Sequence, residues 1–210
     1  MPPKPKTEAE RQQLRKLIVD AARELFVARG VEAVTMREIA KRIGYSATSI
    51  YLHFADKEAL LRAICDTDFL ALATSLKTVL QIQNPLERMH AIGRGYAAFA
   101  LSYPNHYRLM FMAERTPCDP EASSLQQNNA EQDAYFQLKT VVSDVYEAGY
   151  FREDLKDVDL IAQTLWASTH GVCSLQINMA EDKWVQWSGI SSRLQLMQEV
   201  MMRGLLRERK

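Results

Sequence analysis

Apolar residues recur three and four positions apart along almost the whole of this chain, a spacing that suits helices and little else. From Glu10 onward Gly and Pro are sparse, and alternating β-branched runs are missing. Leu14, Leu17, Ile18, Ala21, Ala22, Leu25 and Phe26 make one helical stripe, and Gly30 follows it where a C-cap belongs. Thr35-Met36-Arg37-Glu38 has the form of a capping box, a Thr N-cap with Glu three residues on. It opens a short helix carrying Ile39, Ala40 and Ile43. Gly44-Tyr45-Ser46 breaks that helix, and Ser46 can cap a second short one from Ala47 to His53. Asp56-Lys57 starts a longer helix, expected to reach Leu80.

Beyond it, Pro85 can open a helix running to Ser102, and Pro104 another ending near Glu114. Thr116-Pro117-Cys118-Asp119-Pro120 reads as a turn. Further helices are expected over 126–148, 156–179 and 190–206, with Trp184 to Gly189 as a connector. The chain is therefore expected to be all-α, with about nine helices: a three-helix head on a helical bundle. The expected division is a flexible tail over 1–8, a head over 9–56 and a body over 57–210. No flexible linker separates head from body, because the boundary falls at the start of the helix opening at Lys57.

Net charge is zero, but it is unevenly spread. Residues 1–60 hold 11 Lys and Arg against 8 Asp and Glu, a net of +3, which leaves −3 for residues 61–210. A mildly basic head on an acidic body suits a protein that meets phosphate with one end. Cys65, Cys118 and Cys173 are widely spaced and form no CxxC pair, so reduced thiols and a cytoplasmic location are expected. A thiol sensor is a minor reading, since nothing near these cysteines in sequence would activate them. No membrane span and no apolar leader segment are expected. No phosphate-binding Gly loop, HExxH or GxSxG is found, and His53, His90, His106 and His170 are scattered. Neither enzymatic activity, nor a cofactor, nor a metal is expected.

Residues 35–53 fit a helix-turn-helix, in which the second helix is short enough to lie in a DNA major groove. The wider string is more specific. Ala21-Ala22-Arg23-Glu24-Leu25-Phe26, Gly30, Thr35, Ile39-Ala40, Gly44, Ser46, Ile50-Tyr51-Leu52-His53-Phe54 and Lys57-Glu58-Ala59-Leu60 together closely resemble the DNA-binding domain of the tetracycline-repressor (TetR) family. That resemblance implies a repressor acting on a double-stranded DNA operator. Thr35, Tyr51, His53 and Lys57 can each donate to phosphate oxygens. Base reading falls to Tyr45, Ala47 and Thr48 at the start of the second helix, with Arg37 able to reach a guanine edge and Ser49 a further DNA-contact candidate. Tyr51 can equally be a core aromatic, and His53 a local cap.

In the body, Tyr96, Phe99, Tyr103, Tyr107 and Phe111 recur every three or four residues. Such a stripe is either packed core or the wall of a cavity for a small apolar or aromatic effector. Trp166, His170 and Gly171 resemble a TetR subgroup named for a Trp-His-Gly signature, with His170 as either a polar anchor for a ligand or a satisfied buried histidine. Ile190, Leu194, Met197 and Met201 form a seam at four-three-four spacing. The resemblance implies a homodimer built from the last two helices of each subunit; packing within one chain would leave the same pattern. A second class stays open: a helical small-molecule-binding protein whose head meets protein and not DNA. Measured salt dependence of DNA binding separates the two.

Overall fold

Two reciprocal caps start the first two helices. The computed structural model describes residues 7–113 and 121–207. In α1 (Glu8–Arg29), the Thr7 oxygen accepts from the Glu10 amide while the Glu10 carboxylate accepts from the Thr7 amide. Thr7 and Glu8, expected in a tail, thus belong to this helix, while residues 1–6 lie outside the described residues. The signal for this start was in the sequence, as Thr7-Glu8-Ala9-Glu10. Thr35 and Glu38 close the same box over α2 (Met36–Arg42). Gly30 ends α1 at φ 81°, a backbone conformation that costs glycine nothing. In α3 (Ala47–Tyr51), the Ser46 oxygen accepts from the Ser49 amide.

The chain divides into two compact units. The first holds residues up to Asp68 together with 105–125: α1 to α3, the first half of α4 (Lys57–Leu76) and nearly all of α6 (Pro104–Phe111). Its core is Ile18, Ala22, Phe26, Ile39, Ala40, Ile50, Phe54, Leu60, Ile64, Tyr107 and Met110, all buried. Burying a side chain of this size contributes about 1.5–3 kcal/mol, which is what holds helices of five and seven residues in place. Three residues of the expected apolar stripes differ, Leu25 among them, which is only half-buried. Leu17 faces outward, and Val19 and Arg23 are buried in its stead; Ile43 is only half-buried.

The second unit holds 69–104 and 126 onward. Here α5 (Pro85–Ser102) packs on α7 (Ala134–Glu147) and α8 (Val158–Met179), and α8 packs on α9 (Ile190–Leu205). Met89, Ile92, Phe99, Ala100, Val141, Val142, Val145, Ile161 and Cys173 fill its interior. Asn84 and Asp157 cap α5 and α8 through side-chain oxygens. Nine α-helices and no strand occur among the described residues, as the periodicity predicts.

Smaller shifts end α3 at Tyr51 and α6 at Phe111 and start α8 at Val158, while two boundaries fall well away from those expected. α4 ends at Leu76, four residues early, and the chain continues into a 3-10 turn over Val79–Gln81. α7 begins at Ala134 and not at 126. Short polar side chains cause the delay by taking backbone amides for themselves. The Asn129 side chain accepts from the Glu131 amide, and Asp133 accepts from the amides of Asn128 and Phe136. Asn128 sits at φ 63°. The expected turn at 116–120, including Cys118, lies outside the described residues.

Gly95 shows how closely α5 is packed. A Cβ there would lie 2.7 Å from the Leu76 Cδ2, and Leu76 is itself buried. Gly204, in α9, has nothing within 4 Å of its Cβ position. Gly95→Ala is expected to lower stability by about 1–3 kcal/mol through overpacking. Gly204→Ala is expected to raise it by roughly 0.5–1 kcal/mol through reduced backbone entropy. Urea denaturation of the two variants checks both signs.

Candidate DNA interface and effector centre

A tight turn sets the two short helices against each other. Gly44 stands at φ 73°, and the Tyr45 amide donates back to the Ala40 carbonyl at 3.0 Å. Ile39, Ala40, Ile50 and Phe54 face the core, which leaves the opposite face of the two helices turned outward. Arg37, Tyr45, Thr48 and Tyr51 are exposed; Ala47, Ser49 and His53 are half-buried. Tyr51, at 51% exposure, is not a core aromatic.

Several expected phosphate donors carry bonds within the protein. The Thr35 hydroxyl donates to the Glu38 carboxylate at 2.9 Å, so its single proton closes the cap. Arg29 donates to the other Glu38 oxygen at 2.8 Å. Arg29 first, then the Thr35 amide and hydroxyl, hold the Glu38 carboxyl down at about 2. The Lys57 ammonium donates to the Val31 carbonyl at 3.0 Å and lies 3.4 Å from the Glu32 carboxylate, tying the start of α4 to the turn after α1. The Glu32 carbonyl is a third acceptor at 3.5 Å, so each of the three ammonium protons has a partner within the protein. The Ser49 and Ser46 hydroxyls bond each other at 2.9 Å.

One residue of this region escaped sequence reasoning. The Arg15 guanidinium lies over the Phe54 ring at 4.3 Å and donates to the His53 carbonyl at 3.5 Å. It clamps the end of the recognition segment from α1. Thirty-eight residues separate the partners, and no local pattern announces the contact.

In the second unit three aromatic residues meet. Trp166 Nε1 donates to the Tyr96 hydroxyl oxygen at 3.1 Å, and that hydroxyl lies 3.0 Å from His170 Nδ1. An indole only donates, so Tyr96 accepts from it and can pass its own proton to an unprotonated Nδ1. Burial pushes the His170 pKa below the ordinary histidine value, favouring that neutral form. Tyr135 packs 6.1 Å from the Trp166 ring. Phe99 is buried and pairs with the exposed Tyr103 at 5.3 Å. Tyr107 and Phe111 belong to the first unit, where Tyr107 is fully buried and their rings lie 4.9 Å apart. The stripe is thus divided, Tyr96, Phe99 and Tyr103 falling in the second unit with Trp166 and His170, and Tyr107 and Phe111 in the first.

The α9 seam also divides by side. Ile190, Leu194, Met197 and Met201 are half-buried, and the Ser168 hydroxyl donates to the Met201 sulfur at 3.4 Å. The exposed apolar residues of α9 are Leu196 and Val200; those of α8 are Leu160, Leu175 and Met179. Cys65 and Cys173 are buried, and burial pushes the Cys173 thiol up to about 11. A thiol held protonated in this way is a poor nucleophile.

Residues 18–64 match the family described as "Bacterial regulatory proteins, tetR family", and residues 89–182 match "Tetracyclin repressor-like, C-terminal domain". The HTH-type transcriptional repressor KstR2 of Mycobacterium tuberculosis is 34% identical over 162 residues, covering 72% of this chain and 77% of that one. The chain belongs to the TetR family. It is a DNA-binding transcriptional regulator and not an enzyme. The HTH-type transcriptional regulator SrpR of Pseudomonas putida is 42% identical over 59 residues, 28% of each chain. Two solved structures share the fold. A TetR family transcription regulator from Marinobacter aquaeolei VT8 gives a TM-score of 0.74 at 15% identity, covering 96% of this chain and 100% of that one. A protein from Rhodococcus sp. RHA1 gives 0.73 at 23% identity, covering 99% and 100%. In this TetR-family chain no described helix is long and apolar enough to cross a membrane.

The lowered His170 pKa has a definite sign in stability. Neutral His170 favours the folded state above the unfolded value of about 6.5, and that contribution is lost as pH falls below it. Between pH 7.5 and 5.5 the wild-type chain is expected to lose more urea resistance than a His170→Gln variant. Equal losses would show that the Trp166–Tyr96–His170 chain does not depend on the neutral ring.

Proposed function

We propose that this chain is a ligand-responsive repressor that binds a near-palindromic operator as a homodimer and is released by a small apolar or aromatic effector. The observation that carries this reading is the helix-turn-helix, whose inner face is buried and whose outer face presents Arg37, Tyr45, Thr48 and Tyr51. Repression is further supported by the 34% identical relative whose name states it. Work on DNA implies a cytoplasmic location.

Within the head we assign Arg37, Tyr45, Ala47, Thr48 and Ser49 to base reading, and Tyr51, His53 and Lys57 to phosphate. Thr35 reaches phosphate only through its helix end, since its hydroxyl serves the cap. One short helix reads too few base pairs for useful specificity, so a two-fold dimer is expected. The exposed Leu196 and Val200, with Leu160 and Leu175, supply an apolar surface for the second copy. The half-buried Ile190, Leu194, Met197 and Met201 support that surface from within. For the effector, Trp166, Tyr96 and His170 offer a polar anchor beside Phe99 and Tyr103, in keeping with the Trp-His-Gly reading. The effector acts only if it binds two states of the chain with different affinity; a coupling of about 1–3 kcal/mol changes DNA affinity roughly 5–150-fold.

Two experiments test this function. In a selection from random duplexes, Arg37→Ala and Thr48→Ala are expected to relax preference at one position each, at a cost of roughly 1–3 kcal/mol, whereas Tyr51→Phe weakens all sites alike. The same selected site for wild type and both alanine variants would remove their base-reading role. In sedimentation at micromolar concentration the wild type is expected to be a dimer and Leu196→Glu a monomer. A monomeric wild type would refute the dimer.

A further inference from the structure

The five cations of α1 are not equally engaged. Lys16 lies 2.7 Å from the Asp20 carboxylate, Arg23 2.8 Å from Asp20 and 2.7 Å from Asp68, and Arg29 2.8 Å from Glu38. Arg11 and Arg15 hold no carboxylate among the described residues. Of these two, Arg15 is the one fixed against the helix-turn-helix. Its guanidinium lies over the Phe54 ring at 4.3 Å, and its Nη1 donates to the His53 carbonyl at 3.5 Å.

Neither contact needs an arginine. A methionine at this position would cover the same ring, and a glutamine can donate to the same carbonyl. What arginine adds is a permanent charge and a fork of five N–H donors. The His53 carbonyl takes one of them, and the rest find no acceptor among the described residues. Arg15 is half-buried, so it is held in place and still meets solvent.

The charged groups that follow the recognition helix are engaged elsewhere. Asp56 accepts from the Ala59 amide at 2.7 Å, and Glu58 from Arg62 at 2.8 Å. Val31 and Glu32 hold the three Lys57 protons, so a phosphate reaches Lys57 only by displacing one of these acceptors. The end of the helix-turn-helix thus takes its unengaged cation from α1, 38 residues away in sequence.

We propose that Arg15 is a DNA-backbone contact: seated on Phe54, its guanidinium meets a phosphate beside those that Tyr51 and His53 reach. Two N–H groups of a guanidinium match two phosphate oxygens. Such a contact orients the head on the duplex and reads no sequence. Because the same group also holds the His53 carbonyl, α1 and the end of the recognition segment dock on the strand together. This assignment rests on the reading of the helix-turn-helix as the DNA-facing surface.

The test uses the full chain and a mixed-sequence duplex of about 30 base pairs, with affinity measured from about 50 to 200 mM KCl. Each phosphate neutralised contributes about 0.9 to the slope of log affinity against log salt. Arg15→Gln and Arg15→Met are expected to lower that slope by about 0.9 per bound subunit, which is roughly 3.5-fold less affinity lost over this range. Arg15→Lys is expected to keep the wild-type slope. Lys16→Met removes the same charge one residue away, from a side chain that is 79% exposed and paired with Asp20, and is expected to leave the slope unchanged. A merely structural Arg15 would change affinity by one factor at every salt concentration. An unchanged slope in Arg15→Gln, which keeps a donor for the His53 carbonyl, would overturn the contact even if Arg15→Met failed to fold. So would an equal flattening in Lys16→Met, which would show a long-range charge effect. A wild type that binds no duplex at the lowest salt would fail the DNA-facing reading and the contact with it. A wild type that binds with a salt-dependent affinity, beside an unchanged Arg15→Gln slope, would fail the contact alone.

Discussion

The Glu38 carboxylate holds the head together at its weakest place. α2 has seven residues and α3 five, lengths at which an isolated helix does not persist in water. Glu38 accepts from the Thr35 amide and hydroxyl on one side and from Arg29 on the other, so one group joins the start of α2 to the end of α1. With that entry fixed, Ile39 and Ala40 reach the core, and Gly44 can turn the chain so that Ile50 follows them. The outward direction of Arg37, Thr48 and Tyr51 is a consequence of where Ile39, Ile50 and Phe54 go.

Helix starts were the most legible part of the fold, because a cap is a contact between residues three apart. Thr35 with Glu38, Ser46 with Ser49, and Pro85 after Asn84 could all be read locally. The start of α7 could not, because Asn129 and Asp133 take backbone amides, that of Asn128 included, within a stretch whose apolar spacing still looks helical. The outward residues of the head followed from the pattern of inward ones. Their bonding did not: Lys57 finds Val31 and Arg15 finds His53 only after the chain has folded. The same holds for Arg23, which its sequence neighbours present as one more residue of an amphipathic helix.

In the second unit the sequence offered a stripe of aromatics and left its use open. The structure sorts the stripe by hydrogen bonding. Phe99 has no polar atom and is buried, while Tyr96 joins Trp166 to His170 through a single hydroxyl. The lowered pKa of His170 comes from desolvation, so the ring is neutral by virtue of its surroundings and not of a charged neighbour.

The two faces of the helix-turn-helix use different residues. Ile39, Ala40, Ile50 and Phe54 hold the fold, while Arg37, Thr48 and Tyr51 stand exposed outside that set. A substitution on the outer face therefore leaves the core intact, whereas one on the inner face shifts the outer residues with it. The exposed side chains of the head can therefore change one at a time, each intermediate still folding.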